Sequence, residues 1–256
     1  MNKSCAIFLH LFYAHLYDEI VERLNAIPFK FNLYVNLVAK HTEHLSYDIQ
    51  HVFPDAFVLI SPNNGMDPGG NLRLLNFWLE FGQEEEFIIF LHSKGKAIGS
   101  CTEEKVRETD ELRNLLWSIV SPEKAPQIEQ IFAEEPNVGM IGVEEWHRFP
   151  GRAHGDPIPE CKFYTELLHL NNYDTGNFGF CAGTMFWVRS KIFRKVFENV
   201  DILKLVDELP PSDTGGRTHA LERVFGYCVL SENFLIKGMS ITPTLKGAGF
   251  HREEGE

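Results

Sequence analysis

Several stretches of this chain gather residues able to do chemistry. "NNGMDPGG" sets Asn63, Asn64 and Asp67 around Gly65, with Pro68, Gly69 and Gly70 behind. Amide and carboxylate side chains on a tight turn ahead of a helix can orient a polar ligand, and the N–H groups of a helix start favour anions. Spacing alone fits Asp67 equally well as a helix cap. In "LHSKGK", His92, Lys94 and Lys96 leave a strongly apolar run. Such groups are costly to desolvate, so they either reach solvent or meet a negative ligand, for example a diphosphate. "FCAGTMFWVRSKIF" places Gly183 and Thr184 inside a strand-like run. Gly183 has no Cβ, so a ligand or another backbone can approach closely. Met185, Phe186 and Trp187 then anchor that floor, and Arg189 and Lys191 point out into a helix start. A plain core strand with a helix packed on Gly183 fits as well. In "PPSDTGGRTHALERVFGYCVL", His219, Glu222 and Arg223 are neighbours on one helical face, with Asp213 ahead of a Gly-Gly turn. This face can hold a carboxylate base between basic neighbours, or a surface ion pair. Cys181 has no evident base and reads as an inert buried thiol.

These groups need a frame. "CAIFLHLFY" reads as a buried strand ending near His10, and "HLYDEIVERLNAI" as a helix stopped by Pro28. "FKFNLYVNLV" alternates apolar Phe29, Phe31, Leu33 and Val35 with Lys30, Asn32, Tyr34 and Asn36, the period-2 pattern of a strand. A third strand is expected around Ala56 to Ile60, then a turn-rich loop over "NNGMDPGG" and a helix through Leu72 to Leu79. "EFIIFLHSKGKAIG" supplies the clearest buried strand. Helices follow at about 103–119 and 122–134, the second with Ser121 as N-cap and Pro122 at its first position. "NVGMIGVEE" is another strand, 146–159 a loop, and "CKFYTELLHL" a helix. Strands alternating with helices imply a mostly parallel sheet covered on both faces, whose ligands sit beyond the carboxyl ends of the strands. His10, "NNGMD" and "HSKGK" each follow a strand, so they are expected to converge.

Composition narrows the classes. A chain of 256 residues, 44% hydrophobic, can bury a full core as one domain. The net charge of −12 argues against nucleic acid as a partner. The cysteines Cys5, Cys101, Cys161, Cys181 and Cys228 are scattered without CxxC, which suits a reducing cytoplasm. No apolar run approaches the roughly 18 residues a membrane helix needs, and the start reads as a strand instead of a signal peptide.

Taken in order, "IFLHLFY", "SPNNGMDPGG", "FIIFLHSKGK", "GFCAGTMFWVR" and "THALERVFGY" resemble the rhamnan synthesis protein F family, glycosyltransferase-like proteins of bacterial polysaccharide assembly. "AGTMFW" followed by "HALERVFG" is the most specific part. The resemblance implies a GT-A-like, Rossmann-type α/β domain over residues 1–256, with helices on both faces of a mostly parallel sheet. About 1–140 would form the nucleotide-sugar half and about 141–256 the acceptor side. By position, Asn64 and Asp67 fall on an Asn-Gly-x-Asp loop, His92 and Lys94 on a His-x-Lys segment, and Gly183 and Thr184 on a Gly-Thr-Met-Phe-Trp strand. His219, Glu222 and Arg223 fall on the terminal helix motif.

The implied activity is transfer of a sugar from a nucleoside-diphosphate sugar to a saccharide or lipid-linked saccharide acceptor, in the cytoplasm, at the inner face of the membrane through peripheral association. Donor binding is expected of His10, Asn64, Asp67, His92, Lys94, Gly183, Thr184 and Arg223. Catalysis is expected of Glu222 as base, with Asp213 second and His219 beside them. Metal-dependent GT-A enzymes carry Asp-x-Asp after the fourth strand, where this chain has "HSK". Protein cations, not a resident divalent metal, are therefore expected to neutralise the leaving diphosphate, and no further cofactor is expected. The missing Asp-x-Asp also suits a non-catalytic carbohydrate-binding or assembly protein on the same fold. A nucleotidyltransferase or NAD-dependent enzyme fits less well, since "LHLFYAHLYD" has no GxGxxG.

Overall fold

Cys5–Leu11 (β1) and Phe87–His92 (β4) are apolar almost end to end, and every residue of both is buried. Only a strand covered on both faces can bury alternate side chains in both directions. The computed structural model, which describes residues 5–82, 84–96, 99–148, 158–171, 179–211 and 216–240, places these two strands side by side at the middle of a seven-stranded sheet. In chain order the first half supplies β1, α1 (Tyr17–Asn25), β2 (Phe31–Val38), α2 (Ser46–Val52), β3 (Phe57–Ser61), α3 (Met66–Phe81) and β4. After it come α4 (Glu103–Trp117), α5 (Ala125–Glu134), β5 (Val138–Val143), β6 (His147–Arg148) and α6 (Ile158–Leu167). The chain continues with β7 (Phe180–Cys181), β8 (Phe186–Arg189), α7 (Ser190–Phe197), α8 (Ile202–Asp207), α9 (Arg217–Ser231) and β9 (Leu235–Met239).

The strand order is β3-β2-β1-β4-β8-β5-β9. All strands run parallel except β8, which is antiparallel to both β4 and β5. β6 and β7 pair separately. Phe8, Phe90, Phe186 and Val188 face a core built with α3, α6, α7, α8 and α9, while Ile7, Ile89 and Trp187 face one built with α1, α2, α4 and α5. The α/β class with a mostly parallel sheet and helices on both faces is thus the observed one.

Several local expectations need correction. The alternation in β2 does not separate a buried side from an exposed one: Tyr34 and Asn36 are buried with Leu33 and Val35, because α3 covers the more polar side. "NNGMDPGG" is mostly helix, since α3 starts at Met66. Pro68 is tolerated there because the N–H it lacks would be unpaired in a first turn. α5 begins at Ala125, not residue 122, and Ser121 instead accepts from Lys124 N at 3.2 Å in the turn before it. "FCAGTMFWVRSKIF" divides at Gly183 and Thr184 between two sheets, β7 and β8. Arg189 does not point out but is buried, donating to the carbonyls of Val138 and Phe132.

α9 is held on the sheet by aromatic packing. Phe225 lies 5.4 Å from the ring of Phe90 and 5.9 Å from that of Phe186. Burying such a side chain stabilises by about 1.5–3 kcal/mol. Glu222, one turn earlier on the same helical face, is carried with it toward the ends of β4 and β8.

Candidate active site

Three neighbouring parallel strands end in polar residues at one level, His10 being paired with Asn36 on β2 and with His92 on β4. Buried polar groups of this kind persist only when hydrogen-bonded. Ser61 Oγ donates to Asn36 Oδ1 at 2.8 Å, and Asn36 Nδ2 lies 3.0 Å from His10 Nδ1. In that orientation the amide donates to Nδ1, and neutral His10 keeps its proton on Nε2. α3 closes over the ring at Gly70, where any Cβ would overlap His10.

The antiparallel strand completes the site. Because β8 begins where β4 ends, with Phe186 opposite Phe90, the residues just before it reach the same edge as His92. Gly183 (φ 85°) and Thr184 (φ 51°) make a turn there with two left-handed residues in succession. For a β-branched residue that conformation costs about 1–3 kcal/mol and needs surrounding structure to impose it. Three contacts do so. Gly183 O lies 2.8 Å from His92 Nε2, Gly183 N donates to Glu222 Oε1, and the Thr184 side chain bonds to Asp67.

Over this row opens a cavity of about 480 Å³, walled by His10, Tyr13, Asp67, His92, Lys94 and Lys96 among others. Its size is that of a small-molecule site. A wider groove of about 750 Å³ runs between α6, α7 and α8 and shares none of these residues. The wider groove is lined by more charged side chains, Lys195, Asp201, Lys204, Glu208 and Glu232; what sets the strand-end cavity apart is its pair of buried imidazoles, His10 and His92, beside Asp67 and Lys94, and this makes it the candidate site.

Electrostatics separates the groups. Burial is the main cause that lowers the His10 pKa to about 4, although Asp67 pulls it up. Burial, aided by Lys94, also holds His92 below the ordinary imidazole value, against Asp67 and the Gly183 carbonyl. Both rings are neutral at pH 7. For Asp67, burial raises the pKa, but His92, Lys94, His10 and the Thr184 bond outweigh it and the carboxyl falls below its usual range. Glu222 moves the other way, pushed up by burial and then by Asp67, against the Gly183 N–H, His219 and Arg223. One carboxylate is fixed as a charge, and the other is poised nearer neutrality to take a proton.

His10 also sets an acid limit on stability. Its folded pKa lies below the unfolded value of 6.5, so the unfolded chain takes the proton first. The contribution is complete above pH 6.5 and is lost as pH falls toward 4, by about 3 kcal/mol for a shift of this size. Urea unfolding across that window should show the loss in the wild type and a smaller one in His10→Gln. An equal loss in both proteins would remove His10 as its source.

The expected site residues divide. His10, Asp67, His92 and Lys94 line the cavity, while Gly183, Thr184 and Glu222 are not among its lining residues and stand behind it, tied to His92, Asp67 and one another by the contacts above. Asn64 does not reach it, because its amide donates to the Asp207 carbonyl at the end of α8; the neighbouring Asn63 stands at the cavity instead. Arg223 is buried under Phe180, 4.8 Å from the ring, and donates to the His219 carbonyl, which removes it from the wall. His219 is exposed one turn from Glu222. Asp213 lies outside the described residues. Burial raises the Cys181 thiol to about 12, in keeping with an inert role.

Asn36 and Ser61 were not among the expected site residues: Asn36 is one polar residue of an alternating strand, and Ser61, the last residue of β3, carries no signal of its own. Among the described residues no three His, Cys, Asp or Glu side chains are grouped to hold a metal ion. A family model described as rhamnan synthesis protein F matches residues 1–234. No curated protein shows significant similarity to the chain.

Proposed function

The chain belongs to the rhamnan synthesis protein F family, whose role lies in rhamnan polysaccharide synthesis, and from that premise we propose that it is a glycosyltransferase of GT-A type using a nucleoside-diphosphate sugar. The observation supporting this most is the meeting of Lys94, Lys96, Asp67 and the Gly183–Thr184 turn over the ends of β1, β4 and β8. A crevice beyond the carboxyl ends of parallel strands is where such sheets take nucleotides.

In the proposed reaction the donor diphosphate lies against Lys94 and Lys96, and Asp67 accepts hydroxyl protons of the donor sugar in hydrogen bonds. Glu222 takes the proton of the acceptor hydroxyl as its oxygen attacks the anomeric carbon. The bond from that carbon to the diphosphate oxygen breaks, and the lysines take up the charge on the leaving group. His92, bonded to the Gly183 carbonyl, holds the turn in place. His10, with its proton on Nε2, faces the Asn63 side chain at the cavity wall. One base suits direct displacement, and no step draws on a resident metal. Among the described residues no helix is long and apolar enough to cross a membrane. A lipid-linked acceptor would be met by peripheral association, on the cytoplasmic side where nucleotide sugars are held.

A panel of nucleoside-diphosphate sugars tests the assignment by thermal stabilisation. A ligand at 100 times its dissociation constant adds about 2.7 kcal/mol, enough to single out the donor. If no member shifts the melting temperature, the cavity is not a donor site.

A further inference from the structure

Lys94 sits on a loop without secondary structure, yet the chain around it is fixed at each step. Trp117 Nε1 donates to the His92 carbonyl at 3.1 Å, and Ser93 Oγ accepts from Phe12 N and Tyr13 N at 2.8 and 3.1 Å. Arg113 Nη1 then donates to the Lys94 carbonyl at 3.0 Å. Arg113 and Trp117 are four residues apart on one face of α4, so a single helix grips two carbonyls at the exit of β4. Arg113 is 5% exposed and does not line the cavity. Its guanidinium is itself held, by both Glu19 oxygens at 2.9 and 2.8 Å and by Asp110 at 2.8 Å.

A buried guanidinium paired twice gains little net stability over apolar packing, because desolvation offsets the attraction. Its fork geometry, however, fixes the atoms it binds in direction as well as distance. Phosphate groups are most strongly bound by cations already in place, since ordering a lysine on binding costs entropy.

We propose that Arg113 is a positioning residue for the diphosphate subsite, acting through the Lys94 backbone to fix the point from which the Lys94 side chain leaves the chain toward the cavity; this rests on the donor-site assignment above. Lysine at 113 keeps the charge but cannot bridge Glu19, Asp110 and the Lys94 carbonyl together.

Inorganic pyrophosphate is the probe, titrated calorimetrically into the wild-type chain, Lys94→Ala, Arg113→Met and the double variant. Arg113→Met should bind about tenfold more weakly, and the double variant no more weakly than Lys94→Ala, since contacts acting through one group are not additive. Arg113→Lys should fall between Arg113→Met and the wild type. Additive losses, or unchanged binding by folded Arg113→Met, overturn the positioning role and leave the donor site standing. Should Arg113→Met fail to fold, Arg113→Lys is carried through the same cycle with the same criteria. If the wild-type chain and Lys94→Ala bind pyrophosphate equally or not at all, the donor-site assignment itself fails, and the role of Arg113 with it.

Discussion

Glu222→Gln should lose transfer by about 10²–10⁴-fold while keeping its donor affinity, the usual effect of removing a positioned general base. Gln is nearly isosteric and retains an oxygen to accept the Gly183 N–H, so the turn that Glu222 helps hold keeps its anchor. The folded pKa of Glu222 is raised by burial and by Asp67. The base is therefore competent above its own pKa, and the acid limb of the wild-type rate profile should lie above the ordinary carboxylate value of 4.5. Initial rates from pH 4 to 8, together with donor binding by thermal shift, check both parts. Near-normal turnover in Glu222→Gln would remove it from the role.

Lys94→Ala should reduce both donor affinity and transfer, the latter by about 10²-fold or more, because it removes charge where a leaving diphosphate develops it. The backbone bond from Arg113 to residue 94 survives the change, so the loop stays in place. With Lys94 and Lys96 carrying the phosphate charge, wild-type transfer should continue in excess chelator. Loss of activity in chelator with recovery on adding manganese would contradict the assignment of Lys94.

The sheet was legible because its strands announce themselves. "CAIFLHL" and "FIIFLH" are apolar throughout, and turn residues or helical periodicity separate them. What could not be read depends on neighbours distant in sequence. Nothing around Asn36 in the sequence shows that His10 and Ser61 satisfy its buried amide. Asp67 could have been a cap or a ligand group, and only the approach of Thr184 and His92 places it at the cavity. Arg223 looked equivalent to Glu222 by spacing. Adjacent helical residues point about 100° apart, however, and this one turns under Phe180 instead. Arg113 sits in the charged run "EEKVRETDELR", where nothing distinguishes it from surface residues until its carbonyl partner on the β4 loop is known. The antiparallel placement of β8, which delivers Gly183 to His92, leaves no local mark at all.

The most direct measurement is release of nucleoside diphosphate by the purified wild-type chain, with the donor from the thermal panel and a saccharide acceptor, followed by identification of the extended product. Glycosyl transfer at this cavity predicts nucleoside diphosphate and elongated saccharide in equal amounts. A chain that binds the nucleotide sugar but neither transfers nor hydrolyses its sugar would contradict catalysis and leave a binding protein on the same fold.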